Sequence, residues 1–319
     1  MHADNKTPAF LEITLLLLLG VLWGIPYALT KIALTTIPPI TMVAGRVTLA
    51  SVALWAFVLV KGCKLPAGSV IVERLFIQGL LGCVIPYTLI AFGQQSVSSA
   101  LTSILNSTAP LFICLIFMST AQETVTGRLI VGVTIGLGGV VMITGTSALT
   151  GFGEITIGQL TILVATLSSA FGAIHARRFI AIAPEVVAAA TLTSAALLLI
   201  PLSFVLESPF QTVPSAAALA ATAVNGIVAT ALGFLVYFRL IRTLGSVGTT
   251  SVAYLRPGIG ILVGYVVFGE RLTWTMSAGL IVILIGVAAI NWKSGRPSGL
   301  ASAGVRDVLQ GSVAAARSD

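Results

Sequence analysis

Two arginines stand inside long apolar stretches with no acid beside them. Arg256 lies nine residues into the stretch 247–268, and Arg46 lies seven residues beyond Pro39 in the stretch 39–60. At a rise of 1.5 Å per residue, Arg46 is about 10 Å inside its helix. An arginine at the centre of a membrane helix costs about 2.5–3.5 kcal/mol on insertion scales, so such residues face a protein interior or a wet cavity. A guanidinium in that setting can receive a carboxylate or phosphate through paired N–H donors. Structural roles stand beside this one. Arg46 can instead bond helix carbonyls or a polar neighbour. Pro257 has no N–H, which frees a carbonyl one turn earlier for Arg256. Lys31, nearer a helix end, can snorkel to the interface.

Uncharged groups could line the same space. Ser99, Thr102, Ser103 and Asn106 follow i, i+3, i+4, i+7 spacing and share one helix face. Tyr27 and Tyr87 lie in the first and third stretches, Trp23 one turn before Tyr27, and Tyr254 two residues before Arg256. The eighth stretch carries Asn225, Thr230 and Tyr237. Aromatic rings at these depths serve packing equally well, whereas an amide in lipid needs a partner. The expected substrate-binding set is therefore Arg256, Tyr254, Asn106, Ser103, Arg46, Tyr27, Tyr87, Asn225 and Tyr237.

The residue inventory also excludes chemistry. No aspartate occurs between Asn5 and Arg306, and the seven glutamates sit at the ends of apolar stretches or in loops. Two-carboxylate catalysis and oxygen-ligand metal sites lack their residues. His175 is the one internal histidine, beside Arg177 and Arg178. No Ser-His pairing, metal-ligand spacing or Gly-Lys-Ser phosphate loop is present. Cys63, Cys83 and Cys114 form no framework and suit small apolar packing. No catalytic, cofactor or metal role is expected, and the protein is not expected to be an enzyme.

The chain of 319 residues is 57% hydrophobic and 8% charged, with mean hydropathy +1.07. Soluble domains carry about 25% charged residues, so this is a polytopic membrane protein. Its net charge of +7 reflects membrane topology and not a nucleic-acid partner. Roughly 20 apolar residues span a bilayer as a helix. Ten stretches qualify, at 12–34, 39–60, 74–93, 98–120, 127–147, 157–179, 185–206, 215–240, 247–268 and 274–292. Segment 15–22 resembles a signal-peptide core but runs on without a cleavage site, so it reads as a retained first span. With the N-terminus in the cytoplasm, thirteen lysines and arginines fall on that side and only Lys31 and Arg271 near the other. This asymmetry places both termini in the cytoplasm.

The sequence repeats at an offset of 147. Gly79, Thr102, Pro110, Glu123, Thr126, Gly132 and Gly139 match Gly226, Thr249, Pro257, Glu270, Thr273, Gly279 and Gly286. Five helices per half make the second copy enter the membrane from the opposite side, the plan of many secondary transporters. The division expected is an N-terminus over 1–11, repeats over 12–147 and 157–292, a linker over 148–156 and a flexible cytoplasmic tail over 293–319. Residues 305–316 could form a short amphipathic turn. Gly132-x3-Gly136, Gly260-x3-Gly264 and Gly20-x3-Gly24 suit close helix contact. Pro26, Pro86, Pro110 and Pro257 are sites of static kinks or of hinges. Glu123 and Glu270 each precede a helix-starting threonine by three residues, which reads as helix capping.

Over residues 12–292 the chain resembles the EamA-type drug/metabolite transporters. The resemblance is carried by Leu22-Trp23-Gly24, Lys31, Pro38-Pro39, Arg46, Pro110, Glu123, Pro257, Gly269-Glu270 and the glycine pairs Gly132/Gly139 and Gly279/Gly286. Gln122-Glu123 departs from the usual Gly-Glu, and Ser168-Ser169-Ala170 replaces the Trp-Gly pair in the second half. The resemblance implies an all-α fold of ten transmembrane helices in two inverted five-helix repeats, acting as an inner-membrane carrier of small metabolites, often an exporter. A carboxylate-bearing solute such as an amino acid fits the cations. A flippase of lipid-linked intermediates is the nearest alternative and a membrane-embedded enzyme the more distant one. The bilayer and a small-molecule substrate are the expected partners.

Overall fold

The computed structural model describes residues 9–63, 68–119, 127–149, 153–179, 182–211, 213–237, 239–240, 243 and 252–291. The expected tail and its amphipathic turn lie outside them, as does Glu123. Ten apolar helices follow one another: α1 Leu11–Ala33, α2 Pro39–Lys61, α3 Ser69–Gly93, α4 Ser99–Ser119, α5 Gly127–Leu149, α6 Glu154–Phe179, α7 Pro184–Leu206, α8 Ala216–Tyr237, α9 Val252–Phe268 and α10 Trp274–Asn291. Seven are long and apolar enough to cross a bilayer, and apolar segments of α5, α9 and α10 are shorter. No strand occurs among the described residues. Large apolar side chains such as Val60, Val205, Leu197 and Val52 face outward, as lipid contact requires.

Helix contacts obey a twofold exchange of the halves. α5 lies on α10, α2 on α7 and α4 on α9; α3 touches α6 as α8 touches α1, and α1 touches α9 as α6 touches α4. Glycines show how strict the exchange is. A Cβ on Gly79 would meet Thr191 O at 2.9 Å, Ser194 Cβ and Ala195 N; one on Gly226 would meet Arg46 O at 2.7 Å, Leu49 Cβ and Ala50 N. Residues 46, 49 and 50 each stand 145 positions before 191, 194 and 195, so the two contacts are copies. The α5–α10 crossing is tightest: Cβ atoms on Gly139 and Gly279 would lie 2.8 and 3.0 Å from each other's carbonyl oxygens, and one on Gly286 would lie 2.5 Å from Gly136 N. Backbones approach this closely where small residues remove the side chain between them. The expected contacts at Gly20, Gly24, Gly260 and Gly264 also hold, with α9 against α1 and α4.

Helix ends are fixed by charge across the bundle. Glu207, just after α7, accepts from the N–H groups of Ile40 and Thr41 at 2.8 and 2.7 Å, capping α2. At the other end of the same pair, Lys61 of α2 bonds Glu185 of α7 at 2.5 Å. A carboxylate at a helix N-terminus satisfies donors that have no intrahelical partner.

Three prolines follow departures from helical regularity. Pro26 follows a turn at Ile25 in α1, Pro86 follows a π-helical turn at Leu80–Val84, and Pro110 follows a break at Ser107–Thr108. Pro257 sits within an unbroken α9. In α8 the π-helical stretch is Val224–Leu232, and the repeat offset maps residues 80–84 onto 227–231 within it. π-Helical turns occur frequently at functional sites. Here both flank the same cavity.

Candidate functional site

Between the halves lies a cavity of about 220 Å³, lined in part by Trp23, Tyr27 and Thr30 of α1, Arg46 of α2, Gly82, Tyr87 and Ile90 of α3, Asn106 and Ala109 of α4, Ser169 of α6, Ala229, Thr230 and Phe234 of α8, and Arg256 of α9. A chamber of about 100 Å³ adjoins it, sharing Tyr27, Asn106, Ala109 and Arg256 and adding Ser103, Ser107, Pro110 and Ile113. The positions pair by the repeat: Gly82 with Ala229, Tyr87 with Phe234, and Ala109 with Arg256, each 147 apart. The cavity therefore straddles the pseudo-twofold relation.

Its polar groups form two clusters. In the first, the Tyr27 hydroxyl accepts from Asn106 Nδ2 at 2.6 Å and from Arg256 Nη2 at 3.2 Å. Asn106 Oδ1 accepts from Thr166 at 3.1 Å, which ties α6 to the group. The Arg256 guanidinium lies 5.4 Å from the Trp23 ring, and its Nε is buried with no hydrogen-bond partner. Trp23 is held by Tyr237 at 5.0 Å and Phe234 at 6.2 Å between centroids. A Cβ on Gly233 would come within 2.7 Å of Trp23 Nε1, so this glycine makes room for the indole.

In the second cluster, Arg46 stacks on Tyr87 at 4.2 Å and donates from Nε to Thr230 at 3.0 Å. Thr230 donates to Asn225 O, five residues back, at 2.7 Å, within the π-helical stretch. Asn225 Nδ2 reaches Thr30 at 3.1 Å. Among the described residues, neither arginine joins an ion pair and no acid lines the cavity. Aromatic faces and hydroxyls stabilise the two cations in place of carboxylates.

At the end of the bundle nearest Lys31, Gly269 adopts φ +64° and turns the chain back over the end of α9. Glu270 thereby accepts from Ser99 N–H and Ala100 N–H at 2.9 Å and from the Ser99 hydroxyl at 2.9 Å, and pairs with Lys31 at 3.2 Å. Burial alone raises the carboxyl pKa, but the Ala100 and Ser99 donors and Lys31 outweigh it and hold it below the usual glutamate value. Capping by Glu270 thus serves α4 and not the helix that follows it, correcting the local expectation. Lys31 has a partner and does not simply snorkel. Thr273 does cap its own helix, accepting from Met276 N–H at 3.3 Å.

The structure gathers Arg256, Arg46, Tyr27, Tyr87 and Asn106 around the cavity, with Ser103 in the adjoining chamber donating to Arg256 O at 3.3 Å. Asn225 is fully buried behind the wall, and Tyr237 supports Trp23 without lining the cavity. The Tyr254 side chain lies outside the described residues. Trp23 and Thr230, named as possible lining groups but not in the expected set, both line the cavity, as do Ser169 and Phe234, which the spacing did not single out, while Thr166 bonds Asn106. The repeat offset, applied to Tyr87, would have found Phe234. His175 bonds Gln78 at 3.0 Å, away from both clusters.

A bundle of ten apolar helices, arranged as two inverted five-helix halves around a polar central cavity, defines a membrane transporter of the inverted-repeat kind. The sequence model of the EamA-like transporter family matches residues 10–145 and 156–292, and the chain belongs to that family. It is similar to the Uncharacterized inner membrane transporter YedA of Escherichia coli K12, 27% identical over 275 residues, covering 85% of this chain and 88% of that protein. It is also similar to the Uncharacterized transporter YoaV of Bacillus subtilis 168, 25% identical over 271 residues, covering 83% and 91%. A solved crystal structure shares the fold, with TM-score 0.63, 22% identity, and coverage of 88% of this chain and 98% of that one.

Proposed function

We propose that this membrane transporter carries small carboxylate-bearing metabolites, amino acids among them, by alternating access around the cavity between its halves, working as an exporter or exchanger in a cell inner membrane with both termini in the cytoplasm. The observation that supports this most is Arg256: a cation stacked on Trp23, bridged through Tyr27 to Asn106, and facing a cavity without an acid. Such a guanidinium offers charge-assisted hydrogen bonds to an entering carboxylate. Because no carboxylate lines the cavity among the described residues, exchange of like solutes suits it better than proton coupling through the site. The inverted-repeat division over 12–147 and 157–292 is part of the same proposal, and the matched halves of the helix contacts support it. The orientation rests on the lysine and arginine asymmetry. The inner-membrane placement is supported by the name that YedA carries.

The test is counterflow. Proteoliposomes preloaded with a small carboxylate should take up labelled solute saturably, and Arg256→Ala should reduce this to the background of protein-free vesicles. Uptake by Arg256→Ala equal to that of the natural protein would remove Arg256 from the site.

A further inference from the structure

The cavity holds two cations, whereas one would suffice for a single carboxylate. Arg46 and Arg256 come from different helices and different halves, and both line the same space of about 220 Å³. Each guanidinium is already seated on an aromatic ring, Arg46 on Tyr87 and Arg256 on Trp23. Those faces are therefore taken by the protein's own cations and are poor places for a substrate ammonium.

The donors that remain point to negative charge at both ends of the site. Arg46 spends Nε on Thr230 and makes no other hydrogen bond among the described residues, so its two Nη groups keep the fork that matches a carboxylate or phosphate edge. Arg256 spends Nη2 on Tyr27 and makes no other hydrogen bond among the described residues; its Nε is buried, so Nη1 is the donor that remains. The Tyr27 oxygen already accepts two hydrogen bonds, from Asn106 and Arg256, so the hydroxyl proton is left for an acceptor in the cavity. None of the described lining residues can accept a hydrogen bond as an anion. A zwitterion entering this space would bring its ammonium to two guanidiniums with no carboxylate to meet it.

We propose that the preferred solute is a small dianion, bound between Arg46 and Arg256, and that zwitterions and monoanions are selected against. This rests on the reading of the cavity as the transport site and narrows its substrate class, placing the neutral amino acids, which are zwitterions, outside the preferred solutes. The chemistry is shared by dicarboxylates and phosphate monoesters; both carry the second negative charge that the second arginine requires. One extra charge-assisted hydrogen bond contributes about 1.5–3 kcal/mol, roughly a tenfold or greater preference.

The test uses matched four-carbon probes at pH 7 on the purified full chain: succinate as dianion, butyrate as monoanion and 4-aminobutyrate as zwitterion, with glycerol 3-phosphate as the phosphate arm. Binding is read by titration or thermal shift, and exchange by counterflow in proteoliposomes. One or both dianions should bind at least about tenfold more tightly than butyrate, with 4-aminobutyrate weakest. Arg46→Gln should bring the dianion-to-butyrate ratio towards one, and Arg46→Lys, which keeps the charge but not the fork, should restore part of it. A thermal melt of each variant without solute separates misfolding from lost selectivity. Equal or better binding of 4-aminobutyrate or butyrate, no binding of either dianion, or an unchanged ratio in a folded Arg46→Gln variant would overturn the proposal. Saturable counterflow of zwitterions that depends on Arg256 would sink the dianion preference and leave the transport reading intact. Selective dianion binding without counterflow would do the reverse.

Discussion

Helices α4 and α9 occupy equivalent places in the two halves, yet they bring different groups to the cavity: Ala109 on one and Arg256 on the other. The same holds around the wall. Tyr87 with its hydroxyl corresponds to Phe234 without one, Trp23 of α1 corresponds to Ser169 of α6 at an offset of 146, and Arg46 of α2 corresponds to Thr191 of α7 at 145. Backbone contacts keep the twofold relation, as the Gly79 and Gly226 crossings show, while the lining side chains have diverged. The shared part is what any alternating-access bundle needs, two interchangeable frames. The divergent part supplies the cations and their aromatic supports unequally, with Arg46, Tyr87 and Trp23 from the first half and Arg256 from the second. A site built this way is polar and directional although its frame is nearly symmetric.

This contrast can be broken most severely by reversing its charge. Arg256→Glu places an anion where the lining is otherwise cationic, and counterflow of a carboxylate should fall to vesicle background. Gly233→Ala attacks the support instead. Its Cβ would sit 2.7 Å from Trp23 Nε1, and overpacking of this kind costs about 1–3 kcal/mol. Carboxylate affinity should weaken about tenfold as the indole shifts from under Arg256, and tryptophan fluorescence should change with it. Tyr27→Phe keeps the ring and removes the oxygen that joins Arg256 to Asn106. At about 1 kcal/mol per hydrogen bond, affinity should drop about fivefold to tenfold with little loss of thermal stability.

The smallest effect is expected at Glu270, away from the cavity. Because its carboxyl is held below the usual value, the folded state favours the ionised form. That stabilisation is complete above the ordinary glutamate range and is lost as pH falls through the lowered value. Glu270→Gln should therefore lower the melting temperature at pH 7, and the difference from the natural protein should close on acidification. A difference that persists unchanged at low pH would show that the Lys31 and Ser99 contacts do not depend on the charge.

Much of the fold was legible because spans, repeats and glycines are local or periodic signals. Length and hydropathy marked ten helices, and the 147 offset identified which helices correspond. The site was legible where burial cost exposes a residue, as with Arg256, Arg46 and Asn106, because a charge or amide in lipid needs an explanation. It was less legible in α8. A π-helical turn adds a residue to the helical register, so the stretch Val224–Leu232 changes which face carries the residues after it. Spacing alone could not show that Phe234 meets the cavity while Tyr237 stands behind Trp23. Glu270 was misread because capping logic looks to the next helix, whereas its partners Ser99 and Ala100 are 171 and 170 residues away.

The relation between the halves meets its most direct test at the Ala109–Arg256 pair. Counterflow of a small carboxylate should be measured in parallel for the natural protein, Arg256→Ala, and Arg256→Ala combined with Ala109→Arg. A cavity shared across the pseudo-twofold predicts loss in the single variant and partial recovery in the double variant, since position 109 borders the same space from the opposite half. Carboxylate counterflow in Arg256→Ala at the natural rate would contradict a transport site built on that cation.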